Sequence, residues 1–226
     1  MVMNDPIQWS LEKCMPKPSR FTVILLKACL TEWDAKDRLC GIADLPPLED
    51  SIKATTRSLS GSSELASMRR ELDLILTGPS DTSAQSARLL GGSKEVKVRE
   101  VEDLRELDFG LWEGVQRSGL EERFPSVYAQ WIAQPGTVAP PDGESLEMVQ
   151  ERVLGTLFKA LKKLKSEHPV VGLVLRPYAW AVVKCWLDQR PLSDVWSYLE
   201  TESSAELFSL DRDTIEQDRT PKTKIA

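Results

Sequence analysis

Three short apolar runs stand out along the chain: FTVILL at 21–26, LDLIL at 72–76 and PVVGLVL at 169–175. Each has the length and branched-residue content of a strand. A continuous run, unlike an alternating one, predicts a strand covered on both faces. EVKV at 95–98 predicts a short edge strand, and AELFSL at 205–210 a last one. Between these runs the apolar spacing turns helical. Helices are expected over 49–60 and 64–71, interrupted by SGSS, and over 82–90 with a stop at Gly91-Gly92. Further helices are expected over 144–165, near 178–188 and over 191–199. Gly78 and Pro79 close the second strand. The stretch from about 103 to 145 holds Trp112, Phe124, Tyr128 and Trp131, ends among Pro135, Pro140 and Pro141, and reads as a cap-like insertion. Residues 1–20 read as a flexible N-terminal arm, 21–210 as a single domain, and 211–226 as a polar tail that frays.

Strands alternating with helices predict an α/β layered domain with a mainly parallel sheet. Such sheets bind ligands beyond the carboxyl ends of their strands, near a switch in strand order. The loops after residues 26, 76 and 175 are therefore where a site is expected.

Composition narrows the function. With 226 residues, one domain with a well-buried core is the expectation. A net charge of −6 gives no basic stripe for a phosphate backbone, so no nucleic-acid partner is expected. The most basic stretch, KALKKLK at 159–165, has helical spacing and reads as a solvated helix face. Cys14, Cys29, Cys40 and Cys185 are scattered, without disulfide or zinc spacing, so neither a metal nor another cofactor is expected. No apolar run nears the ~20 residues that span a bilayer, and the first residues lack a secretory apolar core. A reducing, cytoplasmic setting without membrane contact is the expectation.

Several phosphate chemistries fail on their own residues. There is no GxxxxGK[ST] and no GxGxxG. A cysteine phosphatase needs a thiolate with an arginine closely downstream on one loop. Cys29 and Cys40 lack that arginine, and Cys185 sits inside an apolar helix pattern. LDRDTI at 210–215 imitates an aspartate-nucleophile motif, but too little chain follows it to complete that site.

Four other segments do carry a pattern, in order: LLKACLTEWDAKDRLCGIADLPPL, ILTGPSDTSAQSARLLG, LRELDFGLWEG continuing into LEERFPSVYAQW and PPDGESLEMVQERV, and VVGLVLRPYAWAVV. Together they resemble the histidine phosphatase superfamily in its phosphoglycerate mutase-like branch, over about residues 21–210. The resemblance implies a three-layer α/β/α sandwich with a mainly parallel central sheet. It also implies a phosphate site in which a histidine carries the phosphoryl group, while two arginines and a second histidine hold its oxygens and an acid protonates the leaving group.

Position by position, that chemistry is missing. The first arginine corresponds to Lys27, the nucleophilic histidine to Ala28 and the following glycine to Cys29. The phosphate-contacting asparagine corresponds to Asp34, the second arginine to Thr82, the second histidine to Arg176 and the glycine after it to Pro177. Thr31, Trp33, Arg38, Gly41, Asp44 and the acid, Glu106, are retained. The chain has one histidine, His168, at the wrong end of its strand. The resemblance thus implies a pseudophosphatase that acts by binding or scaffolding, with a protein partner that is a second copy or an active relative. Cys29 as a substitute nucleophile, in an active phosphatase or mutase, is the rival reading. A small-anion sensor for phosphate, built from Lys27, Arg38 and Arg176, is another. The same cations can instead pair with Asp34 and Glu106, which the cost of unpaired buried charge favours.

Overall fold

A computed structural model describes residues 19–201 and 205–217. One sheet contains β1 (Arg20–Lys27), β2 (Leu74–Thr77), β3 (Val98–Glu100), β4 (Val170–Leu175) and β5 (Ala205–Asp211). Their order is β3-β2-β4-β1-β5, and every neighbouring pair is parallel except β1 with β5. Among the described residues, ten helices flank the sheet. They are α1 (Glu32–Ala35), α2 (Glu49–Leu59), α3 (Ser63–Arg70), α4 (Asp81–Gly91), α5 (Arg117–Arg123), α6 (Pro125–Ala133), α7 (Leu146–Leu161), α8 (Pro177–Leu187), α9 (Val195–Leu199) and α10 (Arg212–Gln217).

The first strand shows why its apolar run does not alternate. Val23 and Leu25 enter one core with α7 and α8, while Ile24, Leu26 and Ala28 enter a second with Leu59, Leu65, Ala87 and Leu90 from α2, α3 and α4. Both faces of the sheet are covered, so both sets of side chains must be apolar. The result is the expected mixed α/β sandwich.

The long insertion is fixed rather than loose. Trp131 is fully buried and meets Trp112 at 5.5 Å, Phe109 at 6.2 Å and Trp196 at 4.7 Å, all near edge-on. Two glycines of its LDFGLWEG motif carry the turn. Gly110 (φ 50°) and Gly114 (φ 73°) are left-handed, and a Cβ on Gly114 would stand 2.8 Å from the Trp33 ring.

Three expectations shift. The edge strand lies at Val98–Glu100 rather than 95–98, because pairing with Ile75–Thr77 of β2 sets its register. The 191–199 segment divides into a 3-10 turn at Leu192–Asp194 and α9. The tail expected from 211 is still structured to 217, where α10 buries Ile215 to 1% exposure. Residues 1–18 of the expected arm and 218–226 of the expected tail lie outside the described residues. No helix among the described residues is long and apolar enough to cross a membrane.

Candidate functional site

Register builds the site. Lys27 pairs with Leu175 and Thr77 with Val174, so β1, β2 and β4 end at one level. A cleft of about 320 Å³ opens there, with Asp44, Glu102, Glu106, Asp108, Arg105 and Arg176 in its lining. That is four carboxyl groups against two guanidinium groups, the reverse of what a phosphate needs.

Arg176, the residue before α8, lines the cleft and is only 1% exposed. Its Nη2 lies 3.4 Å from Asp34 Oδ2 and donates to the Cys40 carbonyl at 3.1 Å, and its Nη1 reaches Thr82 Oγ1 at 3.5 Å. Burial opposes its charge, but Asp34 and Glu106 outweigh burial and raise its pKa. Asp34 is itself held. Its Oδ2 accepts from the Thr31 amide and hydroxyl, both at 2.7 Å, closing a capping box at the start of α1. Of three positions that the resemblance assigns to phosphate contacts, 34 and 82 therefore both bond to 176.

Glu106 is 2% exposed, and its carboxylate sits on the N-terminus of α8. It accepts from the amides of Tyr178, Ala179 and Leu107, each at 2.8 Å. The helix end that could hold an exogenous anion is already satisfied from within. Burial raises this carboxyl to about 7, against the opposing pull of Arg176 and the three amides. The native chain thus keeps a proton between the ordinary value of 4.5 and about 7, where the unfolded chain has lost it. Stability from this group is complete below the lower value and falls as pH rises through the upper, by roughly 3 kcal/mol in all. Urea unfolding from pH 4.5 to 7.5 should show that decline in the native sequence and a flatter profile in Glu106→Gln. Parallel profiles would show that Glu106 does not titrate there.

The other sequence candidates scatter. Ala28 is 2% exposed, packed in the second core, and does not line the cleft. Cys29 is fully buried, with its amide on Ser86 Oγ at 2.9 Å and its thiol 3.5 Å from Thr55 Oγ1. Its thiol is packed toward α2 and its amide is held by α4, and it does not line the cleft. It is not placed to attack a group in the cleft. Lys27 Nζ donates to the Thr201 carbonyl and lies 4.8 Å from the Trp180 ring centre. Burial lowers its pKa, partly countered by Glu206. Arg38 is exposed and donates to the Gly114 carbonyl at 2.8 Å. Lys27, Arg38 and Arg176 thus go to three different places and do not form one anion pocket. His168 is exposed before β4, at the opposite end of the sheet. Among the described residues, no group of His, Cys, Asp and Glu could hold a metal ion.

One cluster was not singled out from the sequence. Glu144 accepts from Arg105 and Arg152 at 2.8 Å, and Arg152 also donates to the carbonyls of Asp103, Arg105 and Glu106 at 2.8–2.9 Å. This clamp fixes the LRE segment, which leaves the 3-10 turn Glu102–Leu104 and presents Glu106. The sequence signal was present in ERV of α7 and DGES before it, but charge type alone does not reveal the pairing.

Fold and site geometry together define an α/β protein whose cleft, at the carboxyl ends of the sheet's parallel strands, is bonded internally. The chain matches the family model of the histidine phosphatase superfamily (branch 1) over residues 23–219, and it belongs to that superfamily. It is 28% identical over 176 residues to phosphoserine phosphatase 1 of Hydrogenobacter thermophilus, covering 78% of this chain and 80% of that one. It is 23% identical over 155 residues to the 2,3-bisphosphoglycerate-dependent phosphoglycerate mutase of Parvibaculum lavamentivorans, covering 66% and 72% of the two chains. Among solved structures, Bacillus stearothermophilus YhfR superposes with a TM-score of 0.68 at 24% identity, covering 78% of this chain and 84% of that one. That last likeness speaks to fold alone.

Proposed function

We propose that this chain is a catalytically inactive histidine phosphatase-like protein that acts by binding or scaffolding. The observation that carries the reading is the residue at the end of β1. Ala28 stands where the family resemblance puts the nucleophile, and the chain's one histidine is the exposed His168 at the far end of the sheet. Loss of a nucleophile that works as part of a unit lowers turnover by a factor on the order of 10⁴–10⁶. The remaining electrostatics do not compensate, because Arg176 faces Asp34 and the lining carries more carboxyl groups than cations. The same acidic lining counts against a phosphate sensor in the cleft. Phosphatase activity in the named relatives belongs to those proteins, and the proposed role here is attachment to a protein partner.

The test is turnover of p-nitrophenyl phosphate by purified protein beside the Cys29→Ser and Ala28→His variants. No hydrolysis above the buffer blank is expected from the native chain. Ala28→His alone should also remain inactive, since Arg176 and Asp34 stay bonded to each other. Hydrolysis by the native chain that disappears in Cys29→Ser would overturn the proposal.

A further inference from the structure

A groove of about 230 Å³, sharing no lining residue with the cleft, runs between the edge strand β3 and helix α7. Arg99, Lys159 and Lys163 line it, all three are exposed, and none has a carboxylate partner among the described residues. The one acid in the lining, Asp103, accepts from Thr156 at 3.2 Å. In a chain of net charge −6, three unpaired cations around one groove are a local inversion of charge.

Beside that groove the sheet is open. β3 is the end of the strand order, and all three of its residues are exposed, Val98 at 47%. The Ile75 amide donates to the Lys97 carbonyl and the Val101 amide donates to the Thr77 carbonyl, both at 2.9 Å. Residues 97, 99 and 101 therefore bond inward to β2. By the two-residue period of a strand, the amides and carbonyls of Val98 and Glu100 point outward, unpaired. An edge of this kind is a template for another strand.

We propose that β3 and the adjoining groove form a docking site for an extended acidic segment of a partner protein. The segment adds to β3 through the backbone of Val98 and Glu100. Its alternate acidic side chains lie on the α7 side and meet Arg99, Lys159 and Lys163. A second copy of this chain fits poorly. Antiparallel pairing of two β3 edges has a two-fold axis normal to the sheet, which brings both α7 helices to the same face. The two sets of cations would then face each other with no intervening acid. The site is separate from the cleft and holds whether or not the cleft hydrolyses phosphate esters.

The probe is the hexapeptide Thr-Glu-Val-Glu-Thr-Glu carrying an N-terminal fluorescein, titrated with full-length protein at low salt and read by anisotropy. Saturable binding is expected, with amide exchange slowed at Val98 and Glu100. Charge reversal by Lys159→Glu with Lys163→Glu should weaken binding about tenfold. Val98→Pro should also weaken it, since the lost amide points away from β2 and the fold keeps its ladder. Circular dichroism would confirm that each variant is folded, and the charge-reversed variant tests the site even if the proline variant is not. Three results would overturn the proposal. One is no binding, or binding unchanged by the charge reversal. Another is tighter binding of a single-stranded oligonucleotide of equal charge. The last is a dimer in sedimentation whose Val98 and Glu100 amides are already protected.

Discussion

Asp34→Asn is expected to lower stability by about 3 kcal/mol and to make the protein respond to inorganic phosphate. The carboxylate is the only anion placed directly on Arg176 among the described residues, and the guanidinium is 1% exposed. Removing one member of a buried pair leaves the other charge uncompensated, at a cost of roughly 3–5 kcal/mol. Asparagine isolates the charge effect. Its carbonyl oxygen can still accept from the Thr31 amide and hydroxyl, so the cap of α1 survives. The freed guanidinium then faces the cleft, where phosphate can substitute for the missing carboxylate. Phosphate at ten times its dissociation constant would return about 1.4 kcal/mol by mass action. Urea unfolding of both proteins, with and without phosphate, measures this. The double variant Asp34→Asn with Arg176→Met should regain stability and lose the phosphate response. A phosphate response already present in the native chain, or none in Asp34→Asn, would show that Asp34 does not stand in for the anion.

That expectation joins two readings of Asp34. From the sequence it stood out as an anion in an anion's place. Its local role was equally legible but overlooked: Thr31 and Asp34 are spaced as a capping box, and α1 begins between them. Asp34 thus closes a helix end and neutralises Arg176 together.

The architecture was the most legible part, because covering a sheet on both faces writes continuous apolar runs into β1 and β4. The short strand β3 was less so. Its three residues are all exposed, and its position depends on pairing with β2 rather than on its own pattern. Of the site, the absence of a second histidine was plain, and the convergence of positions 34, 82 and 176 followed from their places in the segments just after β1, β2 and β4. The destinations of Lys27 and Arg38 were not. Lys27 ends β1 beside the cleft in sequence, yet its flexible stem carries the ammonium toward Thr201 and Trp180. A pattern fixes where the Cα lies, while four rotatable bonds decide where the charge lies.

Arg152→Ala is expected to be the most damaging substitution near the cleft, at about 3–5 kcal/mol. The side chain is 12% exposed and Glu144 10%, so neither can turn to water for replacement bonds. Alanine leaves Glu144 with Arg105 and the Asp108 amide, and leaves the carbonyls of Asp103, Arg105 and Glu106 without this donor. The Glu106 backbone is then released from α7, while its side chain must still hold the end of α8. Hydrogen exchange should therefore accelerate at the Tyr178 and Ala179 amides, which are bonded to Glu106 rather than to Arg152. Arg152→Lys should recover less than half the loss, since an ammonium cannot span a carboxylate and three carbonyls as the planar fork does. Full recovery by lysine would mean that charge alone matters. An unchanged exchange rate at Tyr178 and Ala179 would mean that the clamp stabilises the cap without positioning Glu106.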